Sequence, residues 1–344
     1  MRPSPVASSG PLASVLEVGG PVLARRLRRT EARLGEITAA GGPTLAAHAS
    51  ETLAAGGKRL RPVLVFLCAA GGDRESDAGD VDGEREANLL AAATAVELLH
   101  MATLVHDDVL DAAPLRRGRA TVFATGGRQA ATATGDLLFS RAFAELAAGD
   151  QPDAVRTLSQ ASSALARGEL MQRADAWSSA ITRGRYIERC ELKTASLFAA
   201  ACRLGALLGG AGPPEREELA SFGRRIGLAF QILDDVLDVS GPAQRTGKHR
   251  GTDLLDGTVT LPLIEARERD PGLAELDLCA TVTDPDAALG VCERIAATGA
   301  LDAVREEALT YVGEAKEVLT RARLTSERHA ALELVAEAVV ARYS

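Results

Sequence analysis

The chain has 344 residues, enough for one large domain or two ordinary ones; 46% are hydrophobic and only 3% aromatic, so the apolar content is mostly Ala, Leu and Val. Ala and Leu favour helix, which predicts an all-α protein with a substantial core. A formal net charge of -8 argues against general nucleic-acid binding, and five cysteines without a Cys-x-x-Cys pair indicate neither a disulfide framework nor a zinc site, so a reducing, cytoplasmic setting fits.

Residues 1–14, which include Pro3, Pro5, Ser8, Ser9 and Gly10, lack the basic-then-apolar order of a signal peptide and read as a disordered lead-in. Helical periodicity follows over residues 15–38 and 43–55, the first stretch carrying Arg25, Arg26, Arg28 and Arg29 as a solvated face. Gly56-Gly57-Lys58-Arg59-Leu60-Arg61-Pro62 then sets cations ahead of a helix start. Cations there oppose the helix dipole, a conflict that a bound anion relieves, although the motif alone fits a solvated basic turn equally well. Residues 62–68 have strand-like propensity but helical neighbours, and read as helix. Residues 71–86, rich in Gly, Asp and Glu, read as a loop. Residues 89–110 form the longest apolar stretch, yet Glu97, His100, His106, Asp107 and Asp108 interrupt it. That pattern belongs to a buried core helix and not to a membrane span.

Pro114 breaks the chain, and helical pattern resumes near Ala130 and over residues 153–177. Residues 184–209 and 215–237 read as two further core helices, split by Gly209, Gly210, Gly212, Pro213 and Pro214. Residues 241–257 form a loop with Lys248 and Arg250; amphipathic helix, interrupted near Asp270 and Asp284, fills the remainder of a single domain spanning residues 15–344.

The pentapeptide Asp-Asp-Val-Leu-Asp occurs twice, at Asp107–Asp111 and Asp234–Asp238. On a helix its first, second and fifth positions fall within roughly a 100° arc, so three carboxylates share one face. Such carboxylates repel one another unless a cation sits among them, and all-oxygen clusters suit Mg²⁺, which commonly bridges carboxylates to substrate phosphates. One isolated copy is as compatible with an acidic surface turn. Two copies, each embedded in apolar sequence (Leu104, Val105, Val109, Leu110; Ile232, Leu233, Val236, Leu237), point to a metal and a phosphate. His100 lies two turns before Asp107, and Gln231 nearly one turn before Asp234, so both belong to the same stripes; a lone histidine on an apolar helix is otherwise a core residue. Arg116-Arg117-Gly118 follows the first copy, and Lys193 within Glu191-Leu192-Lys193-Thr194 and Lys248 complete the cations.

These blocks, in this order and with Tyr186 ahead of Lys193-Thr194-Ala195, resemble the trans-isoprenyl diphosphate synthases of the polyprenyl synthetase family, over residue 15 to the C-terminus. The resemblance implies an all-α fold of the isoprenoid synthase type, with the two aspartate motifs facing a central cavity, in a homodimer. It implies three Mg²⁺ per active site held by Asp107, Asp111 and Asp234, with Asp108, Asp235 and Asp238 as further or water-mediated partners. Arg116, Lys193, Thr194, Gln231 and Lys248 would hold an allylic diphosphate; Lys58, Arg61, His100 and Arg117 would hold isopentenyl diphosphate without metal. The implied chemistry is ionisation of the allylic C–O bond, attack by the isopentenyl double bond and loss of a proton. Many relatives carry a lysine where Thr258 stands here, which weakens the diphosphate grip at that point. Thr103 and Ala102, four and five positions before the first aspartate, are small, as in medium- to long-chain synthases, so a product longer than geranylgeranyl diphosphate is expected, with Phe139 and Phe143 as a deeper floor. A geranylgeranyl or farnesyl diphosphate synthase, a cyclising terpene synthase, a non-catalytic subunit of a heteromeric synthase and a ligand-free helical interaction protein are the alternatives.

Overall fold

The computed structural model describes residues 11–69, 79–241, 250–322 and 324–341. It divides into two compact units, each built from separated segments: residues 1–162, 197–223 and 316–338 in the first, and 163–196, 224–315 and 339–344 in the second.

The first unit opens with α1 (Pro11–Val18), α2 (Gly20–Ala39), α3 (Pro43–Ala54) and α4 (Leu60–Cys68). Residues 11–14, expected in a disordered lead-in, are therefore helical, and residues 1–10 lie outside the described residues. The long core helix is α5 (Gly79–Leu110), and it packs against α4 and α6 (Val122–Ala147). Every residue from Ala92 to Leu99 is buried, because small alanines let neighbours close on all sides of α5 and remove any amphipathic stripe. One stretch among the described residues, Gly83–Leu110, is long and apolar enough to cross a membrane, and 67% of its most apolar window is buried within the fold.

The helix α5 begins about two turns earlier than the Gly- and Asp-rich composition suggested, so residues 79–86 are helix and not loop. Farther on, Glu86 accepts from both Arg26 and Arg29 of α2. A two-stranded antiparallel hairpin, β1 (Leu115–Arg116) and β2 (Arg119–Ala120), follows α5. Its turn residues Arg117 and Gly118 both have positive φ, 52° and 74°, the backbone that a tight two-residue hairpin turn demands. Thr121 starts α6 ahead of the expected position: its Oγ1 accepts from Ala124 N at 3.1 Å and donates to Ala113 O at 2.6 Å. The helix is broken at Gly127 (φ 75°, ψ 178°), so its longer part resumes close to the expected start near Ala130.

In the second unit, α8 (Arg183–Cys190) runs through a single π-helical turn, Glu191–Ala195, towards α9 (Ser196–Leu208). The helices α7 (Pro152–Ala174) and α10 (Pro213–Ser240) contribute residues to both units. The breaks expected near Asp270 and Asp284 are present and have one cause. Each aspartate caps the helix that a following proline opens: Asp270 Oδ1 accepts from Gly272 N at 2.8 Å, and Asp284 Oδ1 from Ala287 N at 2.9 Å.

Candidate active site

In the first unit the C-terminal half of α5 carries His100, Asp107 and Asp111 on one stripe, and the hairpin and the start of α4 bring cations to it. Arg59, ahead of α4 in the left-handed region, is buried, and its Nη1 donates to Glu97 at 2.8 Å while its Nε donates to Glu31. Its charge is spent inside the fold. Arg61 differs: its guanidinium lies 4.5 Å from the centre of the Phe198 ring, and its buried Nε has no hydrogen-bond partner. Burial pushes the Arg61 pKa down to about 10, with Arg117 adding to the fall and Glu97 opposing it. Arg117 donates from Nη1 to Gly56 O, which ties the hairpin turn to the glycine-rich approach to α4.

His100 records the result. Its pKa is driven well below the ordinary value, first by burial and then by Arg61, Arg117, Arg116 and Arg59. Four guanidinium groups thus act on one neutral imidazole, an arrangement suited to a polyanion. Lys58 is exposed beside this group. Arg116 is turned the other way, donating from Nε to Asp108 Oδ1 at 2.7 Å, so Asp108 is held by a cation while Asp107 and Asp111 are half-buried. Of the two residues assigned to product length, Ala102 is fully buried and Thr103 donates its hydroxyl to His100 O at 2.8 Å. Phe139 is 37% exposed and its ring lies 5.2 Å from that of Phe143. Within this chain it therefore lies at the surface and not over an interior cavity.

In the second unit a hydrogen-bond chain runs through the other pentapeptide. Thr194 Oγ1 donates to Gln231 Oε1 at 2.6 Å, Gln231 Nε2 donates to Asp235 Oδ1 at 2.7 Å, and the Tyr186 hydroxyl donates to Asp235 Oδ2 at 2.7 Å. Both oxygens of the buried Asp235 are engaged, whereas Asp234 and Asp238 are half-buried. Burial, then Asp253 and Asp234, push the Asp235 pKa up to about 8, against the two hydrogen bonds that lower it. Asp238 Oδ2 accepts from the backbone N of Asp253 at 3.2 Å.

Lys193 and Thr194 both lie in the π-helical turn, a local widening that recurs at functional sites. The turn sits so close to α7 that a Cβ on Gly168 would stand 2.6 Å from Lys193 N. Lys193 Nζ pairs with Glu169 Oε2 at 2.5 Å. Burial alone would raise the Glu169 pKa, but Lys193 and Arg173 outweigh it and hold the carboxylate below its ordinary value. Lys248 falls outside the described residues. Thr258 is buried, with its backbone N donating to Asp253 O at 2.7 Å.

Reasoning from sequence missed the roles of Tyr186, Glu169 and Asp253. Tyr186 stood in the motif without an assigned partner, and neither acid has a local pattern that would single it out. The donor set suits a hard dication, since both pentapeptides offer carboxylate oxygens alone. Among the described residues no three His, Cys, Asp or Glu side chains form a ready-made metal centre. Such clusters suit Mg²⁺, whose shell substrate phosphates and water commonly complete.

Residues 43–288 match the polyprenyl synthetase family model. A geranylgeranyl diphosphate synthase of Methanosarcina mazei is 35% identical over 320 residues, covering 90% of this chain and 94% of that protein. Heptaprenyl diphosphate synthase component 2 of Geobacillus stearothermophilus is 40% identical over 261 residues, covering 76% and 78%. A polyprenyl synthase of Caulobacter crescentus, solved with calcium and isoprenyl diphosphate, superposes with a TM-score of 0.85 at 33% identity, covering 98% of this chain and all of that one. With that match, the cation-rich environment of His100 and the two aspartate clusters, the chain belongs to the polyprenyl synthetase family and is a prenyltransferase of the trans-isoprenyl diphosphate synthase type.

Proposed function

We propose that the chain condenses isopentenyl diphosphate with an allylic diphosphate, in the presence of Mg²⁺, to give an all-trans polyprenyl diphosphate longer than geranylgeranyl diphosphate. The observation that carries the reading is the pair Arg61 and Arg117 beside a neutral His100, two turns from the first aspartate cluster. Lys58, Arg61, His100 and Arg117 bind the isopentenyl diphosphate without metal. Neutral His100 contributes a hydrogen bond there without the cost of a second buried charge. Lys193, Thr194, Gln231, Lys248 and Arg116 bind the allylic diphosphate. Asp107, Asp111 and Asp234 would hold Mg²⁺, which when bound supplies charge to the departing diphosphate. Asp108, paired through Oδ1 with Arg116, and Asp235, bonded to Tyr186 and Gln231, fix the clusters. No nucleophilic side chain is required, and the five cysteines are free thiols, four of them buried, in keeping with a cytoplasmic site of action.

Small Ala102 and Thr103 support the long product, and the names of the heptaprenyl relatives point the same way. We take the active form to be a homodimer. The term component 2 in two relatives favours one second reading, a catalytic subunit that works with a different chain. The test is to incubate the purified chain with Mg²⁺, isopentenyl diphosphate and each allylic primer, and to read products by mass spectrometry. Turnover by the chain alone supports the first reading; turnover only after a partner is added supports the second. Asp107→Ala and Asp234→Ala should each lower kcat by about 100-fold or more. Wild-type rates in both variants would defeat the metal assignment.

A further inference from the structure

The helix α8 carries a second cation beside Lys193. Arg189 is 3% exposed, and its Nη2 donates to Val259 O at 2.6 Å. Its Nη1 is buried with no hydrogen-bond partner. The nearest carboxylate to that nitrogen is Asp175, at 4.0 Å, and Asp175 is already gripped by Arg185, whose Nε lies 3.2 Å from Oδ1 and 3.1 Å from Oδ2. A buried guanidinium with an unbonded N–H is costly, and burial of one without a dedicated carboxylate is costlier still. The face of the Tyr186 ring, 5.5 Å from the guanidinium carbon, offsets part of that cost, and the unbonded Nη1 leaves the rest.

The surroundings identify what it serves. The thiol of Cys190 is raised far above the ordinary range, first by burial and then by Asp235, while Arg189 and Lys193 both pull it down. The geometry agrees: the Arg189 guanidinium carbon lies 5.5 Å from the centre of the Tyr186 ring, and the Tyr186 hydroxyl donates to Asp235 Oδ2 of the second pentapeptide at 2.7 Å. The segment that Arg189 holds is also tied to the pentapeptide. Thr258 N donates to Asp253 O at 2.7 Å, Asp253 N donates to Asp238 Oδ2 at 3.2 Å, and Trp177 N donates to Gly257 O at 2.8 Å. Thr258 itself brings no charge to this segment, and the guanidinium sits one residue away, on Val259.

We infer that Arg189 is a positioning residue for the allylic diphosphate: it anchors the 257–260 segment and adds a fixed positive charge to the Lys193, Thr194 and Gln231 group, in place of a cation at position 258. This rests on the proposed condensation. The ligand class is an organic diphosphate, and the isopentenyl group around His100 is not part of it.

The experiment compares wild type, Arg189→Gln, Arg189→Lys, Thr258→Lys and the double variant Arg189→Gln/Thr258→Lys, with KM and kcat measured for each substrate and Tm measured in parallel. Gln retains a donor for Val259 O but no charge; Lys retains the charge. The expected result is a fall of about tenfold in kcat/KM for the allylic primer in Arg189→Gln, of the size a charge-assisted contact gives. The KM for isopentenyl diphosphate should stay unchanged, Arg189→Lys should stay close to wild type, and most of the loss should return in the double variant. Unchanged allylic parameters in Arg189→Gln would overturn the inference. So would equal damage in the Gln and Lys variants, or a loss that Thr258→Lys does not recover, since a merely structural arginine behaves that way. Absence of turnover in the wild-type chain, with every primer, defeats the proposed condensation instead.

Discussion

At the scale of single residues, Asp235 has two competing influences. Burial and two neighbouring carboxylates favour its protonated form, and Tyr186 and Gln231 favour its charged form; the first group wins, with a pKa of about 8. An unfolded aspartate titrates near 4, so between roughly pH 4 and 8 the metal-free folded chain binds more protons than the unfolded one. Stability contributed by this group is therefore present at low pH and lost as pH rises through about 8. Asp235→Asn removes the titration. Urea unfolding of the metal-free protein should show a smaller loss of stability between pH 5 and 8.5 in the variant than in wild type; parallel curves would contradict the assignment. Added Mg²⁺ should flatten the wild-type curve, because a nearby dication favours the carboxylate.

The aspartates and basic clusters were legible because their spacing is local: a period of 3.6 residues and an apolar context suffice to gather Asp107 and Asp111, or Asp234 and Asp238, on one face. What Asp108 and Asp235 do was not legible. Arg116 reaches Asp108 only because the chain turns between them, with Ala112 at a φ of 47° and Ala113 N donating to Asp108 O at 3.0 Å, and Tyr186 meets Asp235 across 49 residues of sequence. Arg59 and Arg61 show the same limit. They are two positions apart with the same side chain, yet one is neutralised by Glu31 and Glu97 and the other rests on Phe198, a distinction set entirely by distant partners.

At the scale of elements, the π-helical turn of Glu191–Ala195 is the feature on which Lys193 and Thr194 depend. Periodicity alone predicts one unbroken helix over residues 184–209, since a single widened turn leaves the apolar pattern almost intact. Its position is enforced by Gly168 on α7. Gly168→Ala drives a methyl group into the backbone of Lys193, which cannot yield as a flexible side chain would. We expect a loss of about 1–3 kcal/mol in stability and a raised KM for the allylic diphosphate. Gly313→Ala is the matched control: Gly313 is an exposed helical glycine with nothing within 4 Å of the added methyl group, and the change should be neutral or stabilising by up to about 1 kcal/mol. Thermal unfolding of both variants checks the pair. Equal effects would show that the close approach of α7 does not matter. Helix starts were the least legible boundaries. The hairpin was missed because Arg-Arg-Gly-Arg carries no apolar alternation, and the early start of α5 because Gly and Asp read as loop.

At the scale of the whole molecule, an all-α protein was readable from composition and period. The division into two units was not. Neither is a continuous stretch of sequence, so no linker or change of composition marks a boundary. Product length belongs to this scale too, because it reflects how far a growing chain extends beyond the aspartates. Ala102→Phe should shift products towards shorter chains, read by mass spectrometry, with a stability loss of about 1–3 kcal/mol since Ala102 is fully buried. An unchanged distribution would remove Ala102 from the length-setting residues.

The segmented units bear on how the chain is made. The first unit draws on residues 316–338, so a nascent chain lacks part of it until those residues have left the ribosome. Until residues 197–223 emerge, the buried face of α4 lacks the helix whose Gly205 lies against the Val65 carbonyl, exposing apolar surface of the kind that draws chaperones or promotes aggregation. Closing contacts between segments so far apart is also slow, because loop entropy must be overcome before burial stabilises anything. Chains ended before residue 316 should therefore accumulate in the insoluble fraction.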